Sequence, residues 1–222
     1  MSDKRTTARA FHDARGVEDW RVLFWGAYAF YRIGSFAVGA RFISAVAEVA
    51  EAAGHFPDVD LRPEGVTIRT FSRRDGALSE RDIDLARRIS GVAREFGLES
   101  DPSQLQVVGI AVAQGAGADV RPFWAAAFGY EDLGEEDAID PNRRNPHLWF
   151  HELEPPQSGR GRVHIDVSVP ADLAEARVTA ALAAGGRIAD DSHAPEWWVL
   201  ASPENHGVDI AAWPDFEDHG DG

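Results

Sequence analysis

Two passages of this chain repeat one order of pattern. VVGIAV (107–112) and RVHIDV (162–167) both read as strands, and each is followed by a helical stretch, RPFWAAAFGY (121–130) and ADLAEARVTAALAAGG (171–186). Each passage then ends in a Trp-bearing strand, HLWFHEL (147–153) and EWWVLASP (196–203). A strand–helix–strands unit that returns after about 55 residues predicts a duplicated module. Two independent βαβ-type units produce the same order, so both origins stay open.

Charge separates this repeat from what precedes it. Residues 1–100 carry 15 basic and 15 acidic side chains, whereas residues 101–222 carry 7 and 22, the whole of the net −15. So acidic a surface repels phosphate backbones, and no nucleic-acid partner is expected. The absence of Cys removes disulfides, Cys-ligated zinc, iron–sulfur clusters and thiol catalysis. No apolar run approaches the ~20 residues of a membrane span, and the opening MSDKRTTARAFHDARG lacks the apolar core of a secretion signal. A cytoplasmic protein without a membrane partner is the expectation. The polar ESDPSQ (99–104), with Pro102, reads as a linker. It divides the chain into domains 1–100 and 101–222.

In the first half, SFAVGARFISAVAEVAEAA (35–53) spaces Val38, Phe42, Ile43, Val46, Val49 and Ala53 as one helical face, and Gly54 stops it. GVTIRTF (65–71) alternates like a strand. Ser79 and Asp82 then form a capping-box variant ahead of Ile83, Ala86, Ile89, Ala93 and Phe96, with Gly97 as the stop.

The stretch EAAGHFPDVDLRPEGVTIRTFSRRDGALSERDIDLARRIS (51–90) resembles the pterin-4a-carbinolamine dehydratase family. That family has a Glu-x-x-x-His-His-Pro motif after a long helix, a strand ending near a third His, and a Gly-x-Leu-Thr turn before its last helix. Glu51, His55 and Pro57 match, as do GALS (76–79), Asp82 and Leu85–Ala86, within a resemblance spanning roughly residues 17–98. Phe56 stands where the family has its second His, and Arg73 where it has the third. The resemblance implies a site that expels the 4a-hydroxyl of a compound such as 4a-hydroxytetrahydrobiopterin as water, with no cofactor. It makes His55, Arg73 and Asp82 the candidate catalytic set and Glu51, Phe56, Pro57, Asp58 and Asp60 the candidate pterin pocket.

The chemistry explains the need for imidazole. The departing hydroxyl needs a proton and a ring nitrogen must lose one, and imidazole does either near neutral pH. A guanidinium stays protonated, so Arg73 binds or polarises an oxygen rather than serving as an acid. Phe56 can stack on a flat heterocycle. The residues also admit plainer roles: His55 as a helix C-terminal cap, Phe56 as a core anchor, Arg73 and Arg74 beside Asp75 as a solvated turn. Asp58 and Asp60 bind ring amines or simply pair with Arg62.

The repeated modules and SPENHGVDIAAW (202–213) resemble the vicinal-oxygen-chelate superfamily, which contains glyoxalase and bleomycin-resistance proteins, over about residues 105–213. Its ending, Asp-Pro-Glu-Gly-Asn before a strand with an acidic residue, is matched by Pro203, Glu204 and Asp209. The resemblance implies that four strand positions converge on a divalent metal, here Gly109, His151, His164 and Asp209. Glycine has no ligand to give, which leaves two imidazoles and a carboxylate. On the strand 162–170, His164, Asp166 and Ser168 share one face, and Val163, Ile165, Val167 and Val169 the other. A cleft lined by Trp149, His151, His164, Trp197 and Trp198 that needs no metal is the competing expectation. His12, His147, His193, His206 and His219 are expected at the surface, and the tail DFEDHGDG (215–222) frayed.

The expected architecture is α+β throughout. A small antiparallel sheet with helices comes first, and paired βαβββ modules forming a cupped sheet follow. The expected activity is a dehydratase-like reaction on a small pterin-like molecule, impaired by Phe56 and Arg73. The alternative is a two-domain protein that binds a planar heterocycle without catalysis. The dehydratase resemblance also implies a homo-oligomer.

Overall fold

The computed structural model describes residues 5–24, 26–72, 77–152, 163–201 and 207–212, apart from the side chains of Phe123 and Ala127. Its contacts divide the chain between Leu105 and Gln106. Arg73, Arg74, Asp75, Pro203, Glu204, His206 and the tail 215–222 lie outside the described residues.

The first unit runs α1 (Ala8–His12), β1 (Arg21–Leu23), β2 (Gly26–Arg32), α2 (Phe36–Ala53), β3 (Asp58–Arg62), β4 (Gly65–Thr70) and α3 (Glu80–Glu95). Its four strands pair antiparallel in the order β1-β2-β4-β3. Ser35 caps α2 by accepting the Val38 N–H at 3.3 Å, and Gly54, at φ +59°, closes it in the left-handed region that suits glycine. Phe42, Val46 and Ala50 lie on the buried stripe of α2, and Ile83, Leu85, Ala86, Ile89 and Ala93 on that of α3. These stripes cover Ala27, Ala29 and Tyr31 of β2 and Val66 and Ile68 of β4, with Trp20 at the centre of the core. The Trp20 indole N–H is satisfied by Ser90 Oγ at 3.0 Å. Strand β2 was not legible beforehand because Phe30 and Tyr31 are both buried, so its two faces show no polar alternation.

The second unit contains β5 (Val107–Gln114), α4 (Arg121–Phe128), β6 (Glu131–Leu133), β7 (Asp137–Ile139), β8 (His147–Glu152), β9 (Val163–Ser168), α5 (Ala174–Ala183), β10 (Arg187–Asp190), β11 (Trp197–Ala201) and β12 (Gly207–Ala211). They form one sheet of order β10-β11-β12-β9-β5-β8-β7-β6. The two βαβββ halves meet where β5 and β9 run antiparallel. In each half the first strand pairs parallel with the last, β5 with β8 and β9 with β12. The same strand order on both sides of that seam is the structural form of the sequence repeat.

Alternation gives this sheet two unlike faces. One is apolar and packed by helices: Ala174 and Val178 of α5 against Trp198, Leu200 and Ile210, and Ala125 of α4 against Val112, Leu148 and Phe150. The other face carries Asp137, His147, Trp149, His151, His164, Asp166, Trp197 and Asp209, by strand register.

Candidate functional site

In the first unit one carboxylate gathers a network. Asp82 sits in the first turn of α3, where its Oδ2 accepts the Ser79 N–H at 2.8 Å as the capping pattern requires. The same oxygen accepts Ser72 Oγ at 2.8 Å and Ser79 Oγ at 2.9 Å, while Oδ1 accepts Thr70 Oγ1 at 2.6 Å. His55 Nε2 completes the set, 2.7 Å from Asp82 Oδ1. Asp82 is 0% exposed and His55 8%. Burial pushes the Asp82 carboxyl up, but the hydrogen bonds from His55, Thr70 and Ser72 outweigh it and hold it below the usual carboxylate range.

That charge state fixes the histidine. An ionised carboxylate only accepts, so His55 Nε2 carries the proton that faces it, and whenever the ring is neutral the lone pair is on Nδ1. The loop bearing His55 is tied to α3 by Arg81, whose guanidinium donates to the Gly54 carbonyl at 2.6 Å.

In the second unit the ratio is reversed: two carboxylates meet one imidazole. His164 Nε2 lies 3.3 Å from Asp166 Oδ1 and 3.3 Å from Asp209 Oδ2. Asp166 first, then Asp209, draws the His164 pKa up to about 9 against the opposing effect of burial. The Trp149 indole N–H donates to Asp166 Oδ2. Trp149 also stacks on His151, ring centroids 4.7 Å apart, and meets His164 edge-on. Across from Trp149 in the register stands Asp137, pushed up to about 7 by burial and then by the charge of Glu136.

Family and sequence comparisons agree with this two-part reading. A family model described as pterin 4 alpha carbinolamine dehydratase matches residues 3–92, and one described as a glyoxalase-like domain matches residues 110–211. A protein from Nocardia farcinica, provisionally named a pterin-4-alpha-carbinolamine dehydratase, is 47% identical over 60 residues, 27% of this chain. The match covers 63% of that relative, under two thirds of its length. A protein from Cyanothece sp. with the same provisional name is 34% identical over 78 residues, 35% of this chain and 80% of the relative. The chain belongs to the pterin-4-alpha-carbinolamine dehydratase family. A crystal structure titled a transcriptional coactivator/pterin dehydratase from Brucella melitensis superposes with a TM-score of 0.38 at 20% identity. It covers 40% of this chain and 99% of that one, at a score too low to argue from.

Within the dehydratase-like domain the structure brings together His55 and Asp82 but not the whole proposed pocket. Phe56 is 58% exposed beside His55, so it is not a core anchor. Glu51 is exposed on the last turn of α2, and Pro57 is half-buried. Asp58 and Asp60 stand on the sheet face opposite Thr70, where Arg69 lies 3.6 Å from Asp58 and Arg62 2.9 Å from Asp60. Thr70 and Ser72 went unnoticed in the sequence, although two hydroxyls spaced by two at the end of a strand were a usable signal.

In the glyoxalase-like domain Trp149 and Trp197 are on the polar face, but Trp198 is not a cleft residue. It pairs with Ile210 and packs beneath α5 at 8% exposure. Consecutive residues of a strand point to opposite faces, so both tryptophans of a pair cannot line one cleft. His193 stacks on Trp197 with centroids 4.0 Å apart. His147 is buried rather than at the surface, its ring filling the space beside Gly109: a Cβ there would lie 2.3 Å from His147 Cε1. The four inherited metal positions share the polar face. Among the described residues, however, the three ligand types whose atoms converge are His164, Asp166 and Asp209. Residues of this number and kind fit a divalent cation, with Asp166 in place of His151 in the tight group.

Proposed function

We propose that the dehydratase-like domain expels the 4a-hydroxyl of a 4a-hydroxytetrahydropterin as water, with His55 as the proton-transfer residue. The observation that carries this reading is the 2.7 Å contact of His55 Nε2 with a buried, hydroxyl-saturated Asp82. Asp82 is a positioning residue: it fixes the tautomer and aims the Nδ1 lone pair away from the network. Nδ1 takes a proton from the pterin ring nitrogen, and the resulting imidazolium returns it to the departing hydroxyl. One imidazole then does in sequence what the family divides among three. A rate below that of three-histidine relatives is therefore expected.

Exposed Phe56 favours a second reading, in which the domain binds a planar pterin by stacking and does not turn it over. The ligand class is the same. Among the described residues β3 is an edge strand of its sheet, where a second copy of the chain could pair, which supports self-association.

The test is dehydration of 4a-hydroxytetrahydrobiopterin by the purified chain against its spontaneous rate, with pterin binding followed by fluorescence quenching. Acceleration that His55→Ala abolishes supports catalysis. A background rate with pterin still bound supports the binding reading. A background rate without binding overturns both. Light scattering on the eluting protein checks self-association, and a monomer at every concentration counts against it.

A further inference from the structure

The central strand of the second sheet carries only small residues at three successive positions of its polar face. Gly109, Ala111 and Ala113 of β5 stand between β8 and β9, with Ala111 paired to both Trp149 and His164, and Ala113 paired to His151. Small residues there let the side chains of the two flanking strands meet above them. Trp149 stacks on His151 with an angle of 27° between the rings, and His151 meets His164 edge-on with centroids 5.8 Å apart.

The acceptors of this cluster fall into two sets. One is satisfied from within: His164 Nε2 faces Asp166 Oδ1 and Asp209 Oδ2, and Asp166 Oδ2 accepts the Trp149 indole N–H. The other set is not. Asp209 Oδ1 and His151 Nε2 are shut from water and, among the described residues, have no hydrogen-bond partner. His151 Nδ1 lies 3.2 Å from the Glu152 carbonyl, which only accepts, so Nδ1 holds a proton and Nε2 of the neutral ring presents a lone pair. An acceptor buried without a donor is costly, and a ligand that brings N–H groups removes the cost.

Charge points the same way. Asp166 and Asp209 outnumber His164, so the cluster is net negative whether or not the imidazole is protonated. The stacked Trp149 and His151 rings add a flat aromatic surface, and the face of an indole attracts cations. His164 and Asp209 keep 22% and 19% of their side chains exposed, so a solute reaches them.

We propose that this face of the glyoxalase-like sheet binds a planar organic cation of the amidinium or guanidinium class, its N–H groups on Asp209 Oδ1 and His151 Nε2 and its flat body along the Trp149–His151 stack. A fork of donors on a flat charged frame matches two unmet acceptors beside an aromatic surface, and it needs no metal. The proposal is independent of the pterin chemistry of the first domain.

The experiment uses the full, untagged chain in chelator, titrated with benzamidinium by calorimetry, with benzamide as the neutral analogue of the same shape. Saturable binding of one benzamidinium per chain is expected, at least about tenfold tighter than that of benzamide. Asp209→Asn, and His151→Phe, which keeps a ring in the stack, should each weaken it by at least about tenfold, the worth of a hydrogen bond to a charged group. No saturable binding in chelator, equal affinity for benzamide, or unchanged affinity in either variant overturns the proposal. Should the variants fail to fold, NMR of the wild-type chain decides. A selective shift of the Trp149 indole N–H relative to that of Trp20 on adding benzamidinium supports the site, and a shift no larger than that of Trp20 overturns it.

Discussion

The two domains each build a cluster from histidine and aspartate, and the clusters are opposites in their donor balance. Around Asp82, five donors converge on one carboxylate: three hydroxyls, a backbone N–H and an imidazole. Around His164, two carboxylates converge on one imidazole, and among the described residues Asp209 Oδ1 and His151 Nε2 have no hydrogen-bond partner. A carboxylate saturated by fixed donors is a structural anchor that aims its neighbour. An imidazole outnumbered by acceptors is a place where positive charge is wanted. The same residue types thus gather donors around a carboxylate in one domain and carboxylates around an imidazole in the other.

The sharpest way to break this comparison is to remove the carboxylates in turn. Asp82→Ala strands the Ser79 N–H, two serine hydroxyls, Thr70 and His55 in a site 0% exposed. Loss of one partner from a buried charged network costs about 3–5 kcal/mol. Asp209→Ala leaves His164 paired with Asp166 and relieves repulsion between two carboxylates, so its loss should be smaller than that of Asp82→Ala. Urea unfolding gives the magnitudes, and hydrogen exchange read by mass spectrometry assigns each loss to its domain. Equal losses in both variants would erase the distinction between the two clusters.

The clusters should also fail at opposite ends of the pH scale, an effect of intermediate size. Asp82 is held below its unfolded value of about 3.9. Its stabilisation is therefore present above that value and lost as pH falls through the folded value. His164 is raised to about 9. Its stabilisation is complete below an unfolded value of about 6.5 and lost as pH rises through about 9. Denaturation midpoints measured in chelator across this range should show acid loosening of the first domain and alkaline loosening of the second. A single shared profile would count against the assignment.

How much of this was legible in the sequence follows from what a period of two or 3.6 can encode. Helices α2 and α3 are amphipathic and capped, so Gly54, Ser79 and Asp82 marked ends that the sequence shows, whereas Ser35, read as part of the helix, is the N-cap of α2. The βαβββ repeat was readable because each half carries the same order of patterns. Strands β6, β7 and β10 are three or four residues long, too short for any period to declare itself. Asp166 was placed on the right face by alternation, but its part in the cluster depends on cross-strand register with Gly109 and Asp209, which no single strand contains. His55 and Asp82 were singled out by family resemblance, whereas Thr70 and Ser72, which make them a network, were not.

The smallest expected effect concerns those hydroxyls. Ser72 Oγ donates to Asp82 Oδ2 at 2.8 Å and also contacts Ser79 Oγ at 2.7 Å. In Ser72→Ala, Asp82 keeps the Ser79 hydroxyl and N–H on the same oxygen, so no buried charge is left bare. The loss should be near the net worth of one hydrogen bond, about 1 kcal/mol. His55 should keep its contact with Oδ1, so pterin binding should be unchanged. If Ser72→Ala instead costs as much as Asp82→Ala, the five donors act as one indivisible unit. The anchor would then be the whole hydroxyl cluster rather than the carboxylate at its centre.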